Sequence, residues 1–269
     1  MVKQITFSVV IVCLNAGQEL LRTVDSVLRQ SYSNYEIIVK DGMSGDGYVE
    51  RLPADERLRI VRQKDKGIYD AMNQAISLTT GDYVIFLNCG DYFYDEKVLE
   101  KVNAWIATDK ASTEIYYGDI YNRNVSAKVI SNPHINAFAC YRNVPCHQAC
   151  FYSGVLMKRR RYQPQYKVRA DYEHFLGCYF EDGVRPAAMR IVVASYEGGG
   201  FSETKENRKR SRREHEEIVN KYMSRRQILK YRFLMTVTLA PLRTKIAQSE
   251  KLSGIYHKAK ACIYARKEG

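Results

Sequence analysis

Over its first 120 residues the chain switches repeatedly between two periodicities. "ITFSVVIVCL" is a β-branched run suited to a strand buried on both faces. Leu20, Leu21, Val24, Val27 and Leu28 then recur at helical spacing. "YEIIVKDG" reads as a second strand ending at Asp41, and "RLRIVRQ" as a third. Ile68, Ala71, Met72, Ala75 and Ile76 mark a helix before the strand "DYVIFLN". Val98, Leu99, Val102, Trp105 and Ile106 mark another before "EIYYGDI". Alternation of Val/Ile-rich strands with amphipathic helices predicts an α/β domain around a mostly parallel, Rossmann-like sheet with flanking helices.

Residues 121–200 are less regular. A strand is expected at "SAKVIS", a polar stretch from Pro133 to Gln148, a helix at "ADYEHFLGCYF" and a strand at "AAMRIVVASY". After Ser202 the pattern is helical and charged. Ile228, Tyr231, Met235, Leu239, Leu242 and Ile246 lie three or four apart, and Pro241 would kink or split that helix. The expected division is a domain over 1–200, in two halves at 1–120 and 121–200. A basic helical extension over 201–269 completes it.

Charge supports the division. The formal net charge is +12, yet 18 of the 42 Lys and Arg and only 6 of the 30 Asp and Glu lie in 205–269. The first 204 residues are balanced, and the excess belongs to the tail. The run Arg208-Lys209-Arg210-Ser211-Arg212-Arg213 would suit nucleic acid, but no nucleic-acid fold motif accompanies it. Basic residues beside Phe233, Leu234, Met235, Val237 and Leu239 leave two readings open: an interfacial helix on anionic lipid over 205–246, or a stripe packed on the domain or a second subunit. Seven cysteines show no disulfide framework, the opening residues read as strand rather than leader, and no stretch approaches 18 apolar residues. A reduced, cytoplasmic setting is expected, peripheral to the membrane if the tail binds lipid.

Ligands of open α/β sheets gather at the carboxyl ends of strands. Three ends carry suitable groups: Leu14-Asn15-Ala16-Gly17, Asp41-Gly42, and Asn88-Cys89-Gly90-Asp91. A hairpin is the plain alternative for Asp41-Gly42. No GxGxxG follows the first strand and no GxxxxGK[ST] occurs, which argues against Rossmann dehydrogenases and P-loop enzymes. Carboxylates and a metal would then do the work of glycine amides. Asp91, fixed by its strand, suits Mg²⁺ or Mn²⁺ bridging a diphosphate, and Gly90 permits close approach. Cys89 is a poor ligand for such an ion and reads as a small filler. Cys140, Cys146, His147 and Cys150 match no standard zinc spacing.

In order and with short spacers, "FSVVIVCLN", "YEIIVKDGMSGDG", "DKGIYDAMNQAI" and "TGDYVIFLNCGD" resemble the family 2 glycosyltransferases of GT-A fold, closest to a bacterial polysaccharide subgroup. "YYGDIY", "CHQACFY" and "ADYEHFL" extend the likeness to about residues 5–200. The resemblance implies inverting transfer from a nucleotide-diphosphate sugar, most often UDP, with 1–120 as a nucleotide-binding half and 121–200 as an acceptor-side half. Asp41 matches the acid that contacts uracil, and Cys13, Leu14 and Asn15 match the edge of the nucleoside pocket. Asp65, Gly67 and Asn73 match positions near the donor. Asn88, Cys89 and Gly90 fall in the DxD region, where Asn88 and Gly90 replace both acids and Asp91 remains as the metal ligand.

Asp171 matches the catalytic base, although Ala170 stands where an acid often precedes it. Read without the resemblance, Asp171 is an ordinary carboxylate at a helix start. Glu173, the nearest competitor, would point away. Asp119, His147 and Gln148 are candidate acceptor or donor contacts, and "EGGGFS" reads as a linker or a lid. The expected enzyme moves a hexose or N-acetylhexosamine to a glycan or lipid-linked acceptor. A nucleotidyltransferase on a similar sheet and a non-catalytic binder recruited to the membrane are the alternatives; a second copy as partner stays open.

Overall fold

The computed structural model describes residues 4–197 and 204–238, with isolated positions at 246, 254, 256, 259 and 260. The stretch 198–203, which holds the glycines of "EGGGFS", lies outside the described residues, as do Leu239, Pro241 and Leu242.

The expected alternation is present. Strand β1 (Phe7–Cys13) leads to α1 (Gln18–Leu28), β2 (Tyr35–Asp41), β3 (Leu58–Arg62), α2 (Ile68–Ile76) and β4 (Tyr83–Asn88). A two-residue β5 (Tyr92–Phe93), α3 (Val98–Thr108), β6 (Ile115–Asn122) and β7 (Ala127–Val129) follow. Then come α4 (Ala137–Arg142), β8 (Cys150–Ser153), α5 (Gly154–Arg159), α6 (Ala170–Phe180) and β9 (Ala187–Tyr196). Two helices, α7 (Lys205–Tyr222) and α8 (Arg225–Val237), complete the described chain. Sheet order is β3-β2-β1-β4-β8-β6-β9-β5, with β7 beside β6. The long ladders, β3-β2-β1-β4 and β6-β9, are parallel. Strand β8 runs antiparallel to both β4 and β6 and joins the halves.

Alternation along β1 separates the two layers. Phe7, Val9, Ile11 and Cys13 face α1 and α3, together with Ile37, Val39, Ile85 and Leu87. Val10 and Val12 face the other side with Ile38, Val84 and Phe86, against α2, α6 and α7. All seven residues of β1 are buried, which is why its sequence is nearly continuous in apolar residues. Asp41-Gly42 is no hairpin: the chain returns through 42–57 to pair β3 parallel to β2. A Cβ at Gly42 would stand 2.7 Å from an Asp65 carboxylate oxygen and would push that side chain aside.

The tail is only partly an appendage. Ile218, Val219 and Met223 of α7 and its end, and Ile228 and Tyr231 of α8, belong to the main core. Ser224 divides α7 from α8 with a capping box closed by Gln227. Leu229, Phe233 and Val237 instead point outward, 61–67% exposed. The stripe expected from sequence therefore divides between a packed and an open face. Glu173 indeed turns away from Asp171: buried, it receives Lys221 Nζ at 2.6 Å and the Tyr222 hydroxyl at 2.5 Å. Replacing Glu173 with alanine should cost about 2–3 kcal/mol of stability through these charge-assisted bonds. Thermal melting should show it as a fall of about 5 °C or more in Tm.

Candidate active site

A single cleft of about 1300 Å³ opens at the carboxyl ends of β1 and β4 and runs between α2, α4, α6 and α7. Cys13 and Leu14 line it from the end of β1, Asp65 and Gly67 from the turn into α2, and Asn88, Cys89 and Asp91 from the end of β4. The opposite wall carries His147, Gln148 and Asp171. Residues distant in sequence thus meet because β8, just past the polar stretch and not expected as a strand, inserts beside β4 and carries the preceding 3-10 turn (His147–Ala149) with it.

Asp171 lies in the first turn of α6 with 27% of its side chain exposed. His147 Nδ1 is 3.3 Å from one carboxylate oxygen; the Tyr69 hydroxyl and the Tyr172 N–H stand 3.0 and 2.9 Å from the other. Burial pushes the carboxyl up, but the His147 hydrogen bond, the Tyr172 N–H and the Tyr69 hydroxyl together hold it below the usual carboxylate range. His147 Nε2 is 3.2 Å from Asn88 Nδ2. With the Asn88 amide donating, the imidazole keeps its proton on Nδ1 for Asp171. A chain Asn88–His147–Asp171 therefore ties the end of β4 to the carboxylate across the cleft.

Asp91 is 6% exposed and accepts a bond of 2.8 Å from the Gln148 amide. Burial raises its carboxyl above the ordinary range, against the opposing Gln148, His147 and Arg123. Asn88 Oδ1, in the same turn, is buried without a partner. A buried carboxylate short of positive charge and an orphaned amide oxygen are hard donors that suit a divalent cation. Gly90 holds φ +92°, its N–H donates to Thr23 Oγ1 at 2.9 Å, and its carbonyl accepts from Arg123 at 2.7 Å. Arg123 also stacks 4.2 Å over Tyr92, so it braces the turn. Cys89 is a filler, its thiol raised by contact with Cys13 and by burial. Among the described residues no group of three or more His, Cys, Asp and Glu is arranged around a metal. Other ligands would have to come from substrate and water.

Five expected contacts do not line the cleft. Asp41 is fully buried: Ser44 N and Oγ and Arg62 Nε hold its carboxylate, lowering it despite the burial that raises it. It shapes the 42–45 loop from behind the wall. Asn15 closes that loop, with its N–H donating to Ser44 Oγ and its Oδ1 accepting from Gly45 N. Asn73 is bound at both ends of its amide to the Tyr162 backbone and pins the chain ahead of α6. Gly90 sits against Glu19. Asp119, raised by burial, accepts from the Ser131 N–H and braces the stretch after β7. Gln148 serves Asp91 directly, with its Oε1 taken by the Cys146 thiol. Sequence reasoning missed buried Lys40, 3.3 Å from Asp65, and Tyr69, whose only sequence signal was its place in "DKGIYDAMN".

The family model described as "Glycosyl transferase family 2" matches residues 8–177. The chain belongs to glycosyl transferase family 2. This glycosyltransferase is 34% identical over 205 residues to a PGL/p-HBAD biosynthesis glycosyltransferase of Mycobacterium bovis, covering 74% of this chain and 79% of that one. Over 108 residues it is 33% identical to the amylovoran biosynthesis glycosyltransferase AmsB of Erwinia amylovora, covering 38% and 36%. Among solved structures, Staphylococcus aureus TarS 1–349 in complex with UDP-GlcNAc superposes with TM-score 0.61 at 16% identity, spanning 77% of this chain and 64% of that one. The mannosyltransferase PcManGT of Pyrobaculum calidifontis, with GDP-Man and Mn²⁺, superposes with TM-score 0.56 at 16% identity, spanning 72% and 57%. The matches thus reach under two thirds of these solved chains. At such identities they establish the GT-A fold of the family 2 enzyme. Among its described residues no helix is long and apolar enough to cross a membrane.

Proposed function

We propose that this family 2 enzyme transfers a sugar from a UDP-sugar, with inversion, to a glycan or lipid-linked acceptor in bacterial surface glycan synthesis. One observation carries the reading: a single cleft holds Asp91 on the strand-end wall and Asp171 on the opposite wall, joined through Asn88 and His147. Donor and acceptor machinery thus face each other across a space fit for a nucleotide sugar. The biosynthetic names of its relatives and the UDP-GlcNAc bound by TarS support donor and setting.

Asp171 accepts the proton of the acceptor hydroxyl as that oxygen attacks the anomeric carbon. The bond from that carbon to the diphosphate breaks on the opposite face, and its electron pair leaves with the nucleotide. Tyr69 and His147 keep Asp171 ionised and aimed. Asp91 would hold Mg²⁺ or Mn²⁺, with Asn88 Oδ1 the second protein donor at hand. When bound, the ion supplies charge neutralisation for the departing diphosphate. Leu14 and Asp65 border the nucleoside end.

Arg142, Lys167 and Arg210 line the Asp171 end of the cleft and form no ion pair with an acid among the described residues, which favours an acceptor carrying an anionic group. The outward stripe Leu229, Phe233 and Val237, among Arg225, Arg226, Lys230 and Arg232, supports peripheral contact with an anionic bilayer.

Calorimetric titration with UDP, GDP, UDP-GlcNAc and GDP-mannose, with and without Mn²⁺, tests the donor reading. UDP compounds should bind at least ten-fold tighter than GDP compounds, and Mn²⁺ should strengthen them further. Preference for GDP would overturn the base assignment; no nucleotide binding at all would overturn the reaction.

A further inference from the structure

Helix α7 lies in the basic extension, beyond the residues that match the family, yet its side chains reach the active site. Glu214 is 7% exposed, and its carboxylate accepts three consecutive backbone N–H groups: Lys167 at 2.9 Å, Val168 at 3.0 Å and Arg169 at 2.8 Å. Three N–H groups in succession form a concave anion seat, here filled from another helix. The same strap is fastened again one turn earlier on α7, where Arg169 Nε donates to the Ser211 carbonyl and hydroxyl at 3.0 and 2.7 Å. His215 stacks on Tyr172 with centroids 5.2 Å apart and donates to the Tyr141 carbonyl at 2.9 Å.

The strap 167–169 runs directly into α6, whose second residue is Asp171. Its far side is held by Tyr69, whose hydroxyl stands 3.0 Å from both the Val168 carbonyl and the Asp171 carboxylate. Glu214, strap, Tyr69 and Asp171 are therefore one connected set. A carboxylate must be held within about 0.5 Å of its productive position to act efficiently as a base. Arg169 gives the start of α6 no side-chain cap, so the strap that precedes it carries part of that role.

We infer that Glu214 is a positioning residue for the reaction: it hitches the 167–169 strap so that Tyr69 and His147 meet Asp171, making α7 part of the catalytic apparatus. The inference rests on Asp171 being the base.

The test uses the full chain with Glu214→Gln. The glutamine Nε2 would face strap N–H groups that now donate to an acceptor oxygen. Hydrolysis of UDP-GlcNAc in Mn²⁺ should fall at least ten-fold in kcat, with KM for the donor unchanged within two-fold. The Asp171 carboxyl, followed by ¹³C NMR on aspartate-labelled protein, should titrate higher than in the native chain. Groups facing it are His147, Tyr69, Tyr152, Tyr162, Cys146, Cys150 and His174, none of them altered. Tyr69→Phe, which leaves α7 untouched, guards against loss of folding. If both act through the same placement, the double variant should lose no more kcat than the worse single one. Unchanged kcat and unchanged Asp171 titration in a folded Glu214→Gln protein would overturn the inference, as would strictly additive losses in the double variant. Failure of the donor reading would show separately, as absence of UDP binding in the native protein.

Discussion

Asp171→Asn should cut sugar transfer about 1000-fold, the usual scale for removing a positioned general base. UDP release from UDP-GlcNAc with Mn²⁺, followed spectroscopically, reads it. The amide is isosteric, and its single oxygen can still accept either from His147 or from the Tyr69 hydroxyl and Tyr172 N–H, so nucleotide affinity by calorimetry should stay within two-fold. Loss of both together would mean that Asp171 shapes the donor pocket rather than taking the proton. The pH profile gives an independent view. The Asp171 carboxyl sits below the usual range in the folded chain, so the base is ionised down to unusually acid conditions. The part of the acid limb of kcat/KM that belongs to Asp171 should accordingly lie below the ordinary aspartate range. The sign for stability agrees. A lowered folded pKa adds stability above the unfolded value, and that stability is lost as pH falls through the folded one. His147→Ala removes the strongest of the lowering partners and should move the acid limb upward.

Asp91→Asn should lower kcat/KM about 100-fold, on the order of 3 kcal/mol of stabilisation withdrawn from the departing diphosphate. Stimulation by Mn²⁺ should vanish in the same assay. Stability should move the other way. Burial raises this carboxyl, so its ionised form is a cost near neutral pH in the metal-free protein. A neutral amide can keep the Gln148 contact, and the Tm of the metal-free variant should equal or exceed that of the native chain. A variant that keeps its Mn²⁺ stimulation would place the ion elsewhere.

Much of the nucleotide half could be read from the chain alone, because each strand there is buried on both faces and each helix carries one apolar stripe. Strand β4 and its Asn88–Asp91 turn were legible for that reason. The acceptor side was not. Strand β8 is four residues long, begins at Cys150 and follows Pro145 and Cys146 closely, too short for any period to show. Asp41 looked like a ligand contact because a carboxylate at a strand end has two fates. Only the positions of Ser44 and Arg62 decide that it is consumed by the protein. Asn73 shared that ambiguity until Tyr162 claimed its amide. Glu214 had no readable signal, since its partners are backbone groups 45 to 47 positions away.

The match to the family ends at residue 177, in the middle of α6, while the carboxylate that fastens the start of that helix comes from position 214. Anyone trimming or grafting this enzyme at the homology boundary would cut between a lever and its fulcrum. Chimeras that exchange acceptor preference should keep 165–222 from one parent, because α6 and α7 are a matched pair rather than a module and its trailer.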